Sequence, residues 1–271
     1  MIAESKAAVA DRRDKMSGGV NHAYYESPGV AEQYGNERFL IKAEEVILQS
    51  LEKEARNQAL LEIGIGGGRI TTHLLSITKD YAGIDCSQRM IELCQRKFNS
   101  AFFVYDARNM PMFRDGQFSA VVFWGNGIDE VSASDRVLIL NEANRVLKKN
   151  GIFTFSSHNF EWNAIPSYLL EGFSLSRKAF RDNAMRALLY MRCGATRLWS
   201  KICRKGYAVI VEYDEPLRLA MPMYFVEKEK QARQLLEAGF HQVEALASDG
   251  NPLDNHNRDK DFLVFYTARK K

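Results

Sequence analysis

A run of glycines behind an acidic residue is the segment of this sequence best suited to hold a ligand. The run Glu62-Ile63-Gly64-Ile65-Gly66-Gly67-Gly68 ends the apolar stretch 59–65. Glycines permit a sharp turn and let a ligand approach the backbone closely. A helix that follows such a turn offers free N–H groups and the positive end of its dipole. A purely structural turn without a ligand is the alternative interpretation.

The identity of the residue after the glycines narrows the ligand class. In the nicotinamide-dinucleotide pattern G-x-G-x-x-G, counted from Gly64, Arg69 occupies the third glycine position, so the pattern fails. Glu62, the acid before the first glycine, suits a cationic ligand that carries an amino group.

Two further acids stand where later strands are predicted to end. Asp85 ends the second strand, and its carboxylate can accept both ribose hydroxyls of a nucleoside through charged hydrogen bonds. Asp106 ends the third strand and can accept the amino group of an adenine. Taken singly, Asp85 also suits a helix N-terminus, and Asp106 also suits an ordinary turn.

The elements that position these acids alternate between strands and helices. Strands are predicted at 59–65, 81–85, 101–107, 118–126 and 152–157, with helices after the first, second and fourth of them and Ser87 as a helix cap. This alternation predicts a mostly parallel sheet, with ligands binding beyond the carboxyl ends of its strands. A strand at 207–213, a helix after it and two final strands complete the prediction.

The ordered set of motifs resembles the class I S-adenosylmethionine-dependent methyltransferases, particularly the group with a type 11 methyltransferase domain. The resemblance covers about residues 58–160 and rests on LLEIGIGGGRITTHL, GIDCSQRMIELC, DARNMPM, FWGNGIDEV and NRVLKKNGIFTFSSHN. The closing LLEAGF and FLVFYTARK resemble the last helix and strand of the family. One departure is LKKNG, where the family commonly has LKPGG; this changes only a turn.

The resemblance implies an α/β, Rossmann-like, doubly wound and mostly parallel sheet. Its parts are an N-terminal helical cap at 1–55, a cofactor-binding core at 56–157, a mainly helical lid or substrate insertion at 158–224, and a last helix with two strands at 225–271. It also implies S-adenosyl-L-methionine as cofactor, with S-adenosyl-L-homocysteine as product. The cofactor-binding residues it implies are Tyr25, Glu62, Gly64, Gly66, Gly68, Asp85, Cys86, Met90, Asp106, Ala107, Trp124 and Asn126.

Residues near the predicted reaction centre provide candidates for a general base. His158 follows the fifth strand on the ligand-binding edge, and histidine titrates near neutrality. It is therefore the predicted catalytic residue, although a hydrogen bond that fixes the loop is the alternative role. Other candidates are Tyr24, Tyr25, Asp129 and Glu161; Asp129 also suits the start of the next helix.

A strongly basic segment lies within the predicted insertion. Between residues 176 and 206 the sequence has nine lysines and arginines and one acid, although the whole chain carries a formal charge of only +3. A solvated helix face is one interpretation. The functional interpretations are that the segment binds an anionic small substrate, an acidic carrier partner or nucleic acid.

Composition limits the remaining function classes. There is no apolar run of membrane-spanning length and no apolar core of a signal peptide, so we expect a cytoplasmic location without a membrane partner. The cysteines Cys86, Cys94, Cys193 and Cys203 form no CxxC pair, so neither a metal site nor a disulfide framework is indicated.

These observations favour methyl transfer to a small-molecule acceptor, with an anionic acceptor favoured by the basic segment. A methyltransferase that acts on RNA or protein is one alternative, although no Asn-Pro-Pro-Tyr signature follows the fourth strand. A cofactor-binding protein without transfer activity is the other. The sequence identifies neither the acceptor atom nor the oligomeric state.

Overall fold

The structure is a computed structural model. It describes residues 22–27, 29–35, 39–162, 205–214 and 219–271, together with 184, 188, 191, 194–196 and 198–203. Much of the basic segment, including Arg181, Arg186 and Arg192, therefore lies outside the described residues.

The helices and strands alternate along the chain as the sequence predicts. The helices are α1 (Val30–Gly35), α2 (Lys42–Glu54), α3 (Thr71–Ile77), α4 (Gln88–Lys97), α5 (Ala133–Val146) and α6 (Lys228–Glu237). The strands are β1 (Leu60–Ile63), β2 (Tyr81–Asp85), β3 (Ala101–Val104), β4 (Phe118–Phe123), β5 (Leu147–Asn159), β6 (Tyr207–Asp214), β7 (Leu219–Val226), β8 (Phe240–Ala247) and β9 (Leu263–Lys270).

The nine strands found among the described residues belong to one sheet. Strands β3, β2, β1, β4 and β5 are neighbours in that order and run parallel to one another. Strand β9 pairs antiparallel with both β5 and β8, as expected for the two closing strands. The mostly parallel Rossmann-like sheet predicted from the sequence is confirmed.

Burial explains why the central strands form. Every residue of β1 and β2 is buried, because helices cover both faces of a parallel sheet. Two apolar cores result. One lies against α5 and α6 and contains Phe153 and Phe155, and the other lies against α2 and α3 and contains Leu51 and Leu74. In the described part of the chain, no helix is both long and apolar enough to cross a membrane.

Strand β7 is the main element that the sequence interpretation missed. Residues 158–224 were expected to be mainly helical after β5, with one strand at 207–213. Much of 163–204 lies outside the described residues, so the helical insertion stays a prediction. Strand β6 matches the predicted strand; β7 pairs with it antiparallel over eight residue pairs and joins the end of β5 through His158 and Asn159. Pro222 within β7 weakens a strand prediction, which explains the miss.

Several strand and helix ends also differ from prediction. The third and fourth strands end at Val104 and Phe123, before the predicted 107 and 126, and α2 begins at Lys42. Ser87 caps α4 as predicted, because its hydroxyl accepts the backbone N–H of Met90 at 3.3 Å.

Candidate functional site

A cavity of about 240 Å³ opens at the carboxyl ends of the central strands. Because β1, β2, β3 and β4 are parallel, the residues after them meet at the same sheet edge. The walls of the cavity include the predicted residues Tyr25, Glu62, Gly64, Gly66, Asp85, Cys86, Asp106, Ala107 and Trp124. They also include residues that the sequence did not single out, among them His22, Tyr34, Tyr105, Arg108, Glu130 and Ile139.

The glycine turn needs its glycines for two different reasons. Gly64, Gly66 and Gly68 have φ values of 65°, 50° and 81°, in the left-handed region that favours glycine. Gly67 has another constraint: a Cβ there would lie 2.2 Å from the carbonyl oxygen of Tyr34. The N-terminal segment (residues 22–27 and 29–35) therefore passes directly over the turn. Gly67 has to be glycine because this segment leaves no room for a Cβ atom.

Asp85 holds the turn and faces the cavity. Its Oδ2 accepts the N–H of Gly66 at 2.9 Å, and its Oδ1 accepts the N–H of Ser87 at 2.9 Å. Burial raises the pKa of Asp85, and the two backbone hydrogen bonds oppose that rise. Each carboxylate oxygen can accept a further hydrogen bond, so the residue can receive a diol.

Glu62 lies at the base of the cavity in a buried hydrogen-bonded position. Its Oε2 accepts the hydroxyls of Thr71 at 2.8 Å and Tyr81 at 2.5 Å. Burial raises the pKa of Glu62 to about 7, against the opposing effect of these hydrogen bonds. A bound cation would favour the ionised form, so binding of a cationic ligand is coupled to proton release from Glu62.

The raised pKa of Glu62 predicts a pH-dependent stability. The folded state retains the Glu62 proton up to about pH 7, whereas the unfolded chain loses it near 4.5. The stabilisation of the folded state by protonated Glu62 is therefore complete below pH 4.5, and it is lost as the pH rises to about 7. Relative to Glu62→Gln, the wild type should lose about 2–3 kcal/mol of unfolding free energy between pH 4.5 and 7.5. Urea unfolding of both proteins measures this, and a constant difference across the range would contradict it.

Asp106 is already engaged by a neighbouring cation. Arg108 donates to both carboxylate oxygens of Asp106 through Nε, at 3.0 and 2.9 Å, and donates to Asp135 at 3.0 Å. Partial burial opposes ionisation of Asp106, but the hydrogen bonds from Arg108 outweigh it and lower its pKa. An adenine amino group at Asp106 would therefore share the carboxylate with Arg108. This ion pair was not anticipated from the sequence.

The loop after β4 is held in place by alternate residues of β5. Thr154 accepts the indole N–H of Trp124 at 3.0 Å, and Ser156 accepts the backbone N–H groups of Gly125 and Asn126 at 3.0 and 3.1 Å. Alternate residues of a strand share one face, so β5 presents a row of polar groups to this loop. Asn126 has a φ of 61°, and its buried Oδ1 has no hydrogen-bond partner among the described residues.

The N-terminal segment closes one side of the cavity. The hydroxyl of Tyr25 donates to Glu130 Oε1 at 2.5 Å, which joins this segment to the loop after β4. Burial raises the pKa of Tyr25 well above its usual value, and the Glu130 carboxylate adds to the effect. The Lys97 ammonium contacts the carbonyl oxygens of Gly35 and Gly67 at 2.7 and 2.8 Å, which fixes the other end of the segment over the glycine turn.

Four predicted residues lie beside the cavity instead of on its described wall. Gly68 packs against Phe98, and Met90 is buried in a small cluster with Tyr24. Asn126 lies between two wall residues, Gly125 and Gly127. His158 is also behind the wall: it contacts Asp129, whose neighbours in the chain include the wall residue Glu130.

Comparison with known proteins relates part of the chain to methyltransferases. Residues 60–151 match the family model described as "Methyltransferase domain". The "Putative methyltransferase YqeM" of Bacillus subtilis is 31% identical over 105 residues, which cover 37% of this chain and 42% of that protein. The match to an uncharacterised Methanocaldococcus jannaschii protein covers 46% of its length, so less than half of either curated relative is matched.

Solved structures share the fold over most of the chain. The CcbJ methyltransferase of Streptomyces caelestis gives a TM-score of 0.57 at 13% identity and covers 91% of this chain and 97% of its own. An S-adenosylmethionine-dependent methyltransferase from Clostridium acetobutylicum gives 0.56 at 12% identity, over 84% of this chain and 91% of its own. The family model thus describes residues 60–151 as a methyltransferase domain, and the solved structures share the Rossmann-like fold.

Proposed function

We propose that this chain transfers a methyl group from S-adenosylmethionine to a small-molecule acceptor. The observation that carries the proposal is the cavity itself, in which a glycine turn and the carboxylates of Asp85 and Asp106 line one continuous wall at the ends of β1, β2 and β3. A sulfonium nucleoside has an amino acid end, a ribose diol and an adenine, and this wall has a group suited to each.

The residues present fit that cofactor. Asp85 can accept the ribose hydroxyls. The buried Oδ1 of Asn126, which has no partner in the part of the chain that the structure describes, is a further acceptor beside the cavity. Tyr105, Ala107 and Ile139 provide apolar surface next to Asp106 for a planar base. Glu62, with its raised pKa, can become ionised beside a positively charged ligand.

Bound S-adenosylmethionine supplies an electrophilic methyl carbon on a positively charged sulfur. The protein has to align the acceptor with that carbon and exclude water. Tyr25 and Glu130 close the cavity on the N-terminal side, and Trp124, fixed by Thr154, forms a rigid wall beyond β4. We propose that the acceptor binds on the β4–β5 side, near His158.

The experiment is a transfer assay with methyl-labelled S-adenosylmethionine and a panel of phenols, amines and carboxylic acids. We expect label in one acceptor class, with less product from Asp85→Ala at limiting cofactor. Binding of the cofactor without labelled product across the panel would contradict the proposal and favour a non-catalytic binding protein. Label found only in added RNA or protein would instead favour the macromolecular alternative.

The basic segment supports an anionic acceptor. Lys201 and Lys205 are exposed in the structure, and the sequence adds seven more cations between residues 176 and 206. Guanidinium groups offer paired donors to carboxylate or phosphate.

We expect Arg181→Glu, Arg186→Glu or Arg192→Glu to raise the Michaelis constant of a carboxylate acceptor about threefold or more, as loss of a modest ion pair implies. Unchanged Michaelis constants in all three variants would indicate that these arginines lie on a solvated surface and do not bind the acceptor.

A further inference from the structure

A buried polar network lies directly behind the wall of the cavity. Its centre is Asp129, a fully buried carboxylate in the short helical turn Gly127–Asp129. Asp129 Oδ1 accepts the hydroxyl of Ser157 at 2.7 Å and forms an ion pair with Arg136. Asp129 Oδ2 accepts the backbone N–H of His158 at 2.6 Å and lies 2.8 Å from its Nδ1.

Arg136 fixes the other side of this carboxylate. Its side chain is fully buried, and it donates to the carbonyl oxygen of Ile128 at 2.9 Å and to Gln231 on α6. Its guanidinium lies 4.4 Å from the centre of the Tyr224 ring on β7. Burying an ion pair is costly unless additional hydrogen bonds complete it.

The network determines which nitrogen of His158 carries a proton. Paired with Arg136, Asp129 is a carboxylate and can only accept, so Nδ1 of His158 must be the donor. In the neutral imidazole the lone pair is then on Nε2, at the opposite edge of the ring. Phe225 and Phe262 pack against the ring, with centroid distances of 4.7 and 4.8 Å, and restrict its rotation.

His158 is buried and off the described cavity wall, but it stands at the edge of the sheet where the cavity opens. His158 is the third residue in the row Thr154, Ser156, His158 on one face of β5, and the first two hold the β4 loop that lines the cavity. His158 lies at the carboxyl end of β5, which runs parallel to β4. It therefore lies at the same sheet edge as the cavity, on the β5 side.

We propose that Asp129, held by Arg136, is a positioning residue that keeps His158 in the Nδ1–H form, with Nε2 available as the base for the acceptor. This rests on the proposed methyl transfer. The acceptor atom forms a bond to the methyl carbon, and the carbon–sulfur bond breaks with its electron pair remaining on sulfur. The proton of the acceptor moves to Nε2, and the Asp129 carboxylate stabilises the imidazolium that forms. The acceptor class is a hydroxyl or amine that loses a proton on methylation.

The direct test is the tautomer of His158, measured by ¹⁵N NMR on histidine-labelled full chain. The signals are assigned by their loss in His158→Gln, since the chain has five histidines. We expect neutral His158 to carry its proton on Nδ1 in the wild type. In Asp129→Ala no carboxylate remains to accept from Nδ1, so the preference for the Nδ1–H form should be lost. A wild-type His158 with its proton on Nε2 would overturn the proposal, whether or not the variant folds.

Activity provides the second readout, with the acceptor found in the panel above. We expect Asp129→Asn and His158→Gln each to lower kcat about 100-fold or more, within the range known for general-base catalysis, while binding of S-adenosylhomocysteine changes less than twofold. The matched control is Asp249→Asn, an exposed aspartate outside this network whose carboxylate accepts from Asn251 in a surface turn; its kcat should stay within about threefold, since a solvated surface contact contributes little. Equal losses in all three folded variants would overturn the positioning role. Failure of the wild type to bind S-adenosylhomocysteine would instead refute the proposed function.

Discussion

Replacing Asp85 with alanine should weaken binding of S-adenosylhomocysteine at least tenfold, about 1.4 kcal/mol. The carboxylate is buried at the cavity wall, and both of its oxygens already accept a backbone N–H. Charged hydrogen bonds to a ribose diol are worth roughly 1.5–3 kcal/mol each, so the estimate corresponds to loss of one such bond. Isothermal calorimetry measures the change.

The loss has to be separated from damage to the turn, because Asp85 also supports Gly66 and Ser87. Ser87→Ala is the matched control: it removes the cap of α4, which costs about 1 kcal/mol of stability, and leaves the Asp85 carboxylate in place. Its affinity should stay within about twofold, since no ligand contact is removed. Equal affinity of Asp85→Ala and wild type would refute the assignment of the ribose site.

Replacing Arg136 with methionine should lower the free energy of unfolding by about 3–5 kcal/mol, because Asp129 would remain as a buried charge without its partner. Both side chains are fully buried, so solvent cannot compensate. Urea unfolding measures the effect. The control is Arg56→Met; the Arg56 side chain is 62% exposed and its guanidinium lies 3.6 Å from Glu52, so this change should alter stability by less than about 0.5 kcal/mol.

A double variant tests the explanation for that loss. Adding Asp129→Asn to Arg136→Met removes the uncompensated charge, so the double variant should be more stable than Arg136→Met alone. Residues in one ion pair are not additive, and the size of the coupling measures their interaction. Simple additivity of the two single losses would show that Asp129 and Arg136 act independently, contrary to the network described above.

The glycine turn and the carboxylates of the candidate site could be located from the sequence because local signals determine their places in the fold. The glycine turn, Asp85 and Asp106 each follow a short apolar strand, and parallel strands bring their carboxyl ends together. Ser87 and the closing strands were predictable for the same reason. Residue type and strand order suffice where each functional group is adjacent to the element that positions it.

The remaining features depend on contacts between distant segments, which no local pattern encodes. Arg108 pairs with Asp106 and Asp135, and Tyr25 meets Glu130 across 105 residues. Asp129 suits the start of a helix in the sequence, and only folding places it between Arg136 and His158. Gly67 illustrates the same limit, because the need for glycine there comes from Tyr34 passing over it.

A crystal structure of the full chain with S-adenosylhomocysteine tests the central claim most directly. We predict that the ligand occupies the cavity, with both ribose hydroxyls within hydrogen-bond distance of the Asp85 carboxylate, the adenine beside Asp106, and the sulfur towards the β4 side. Absence of the ligand at saturating concentration, or a ligand bound elsewhere on the chain, would contradict the account.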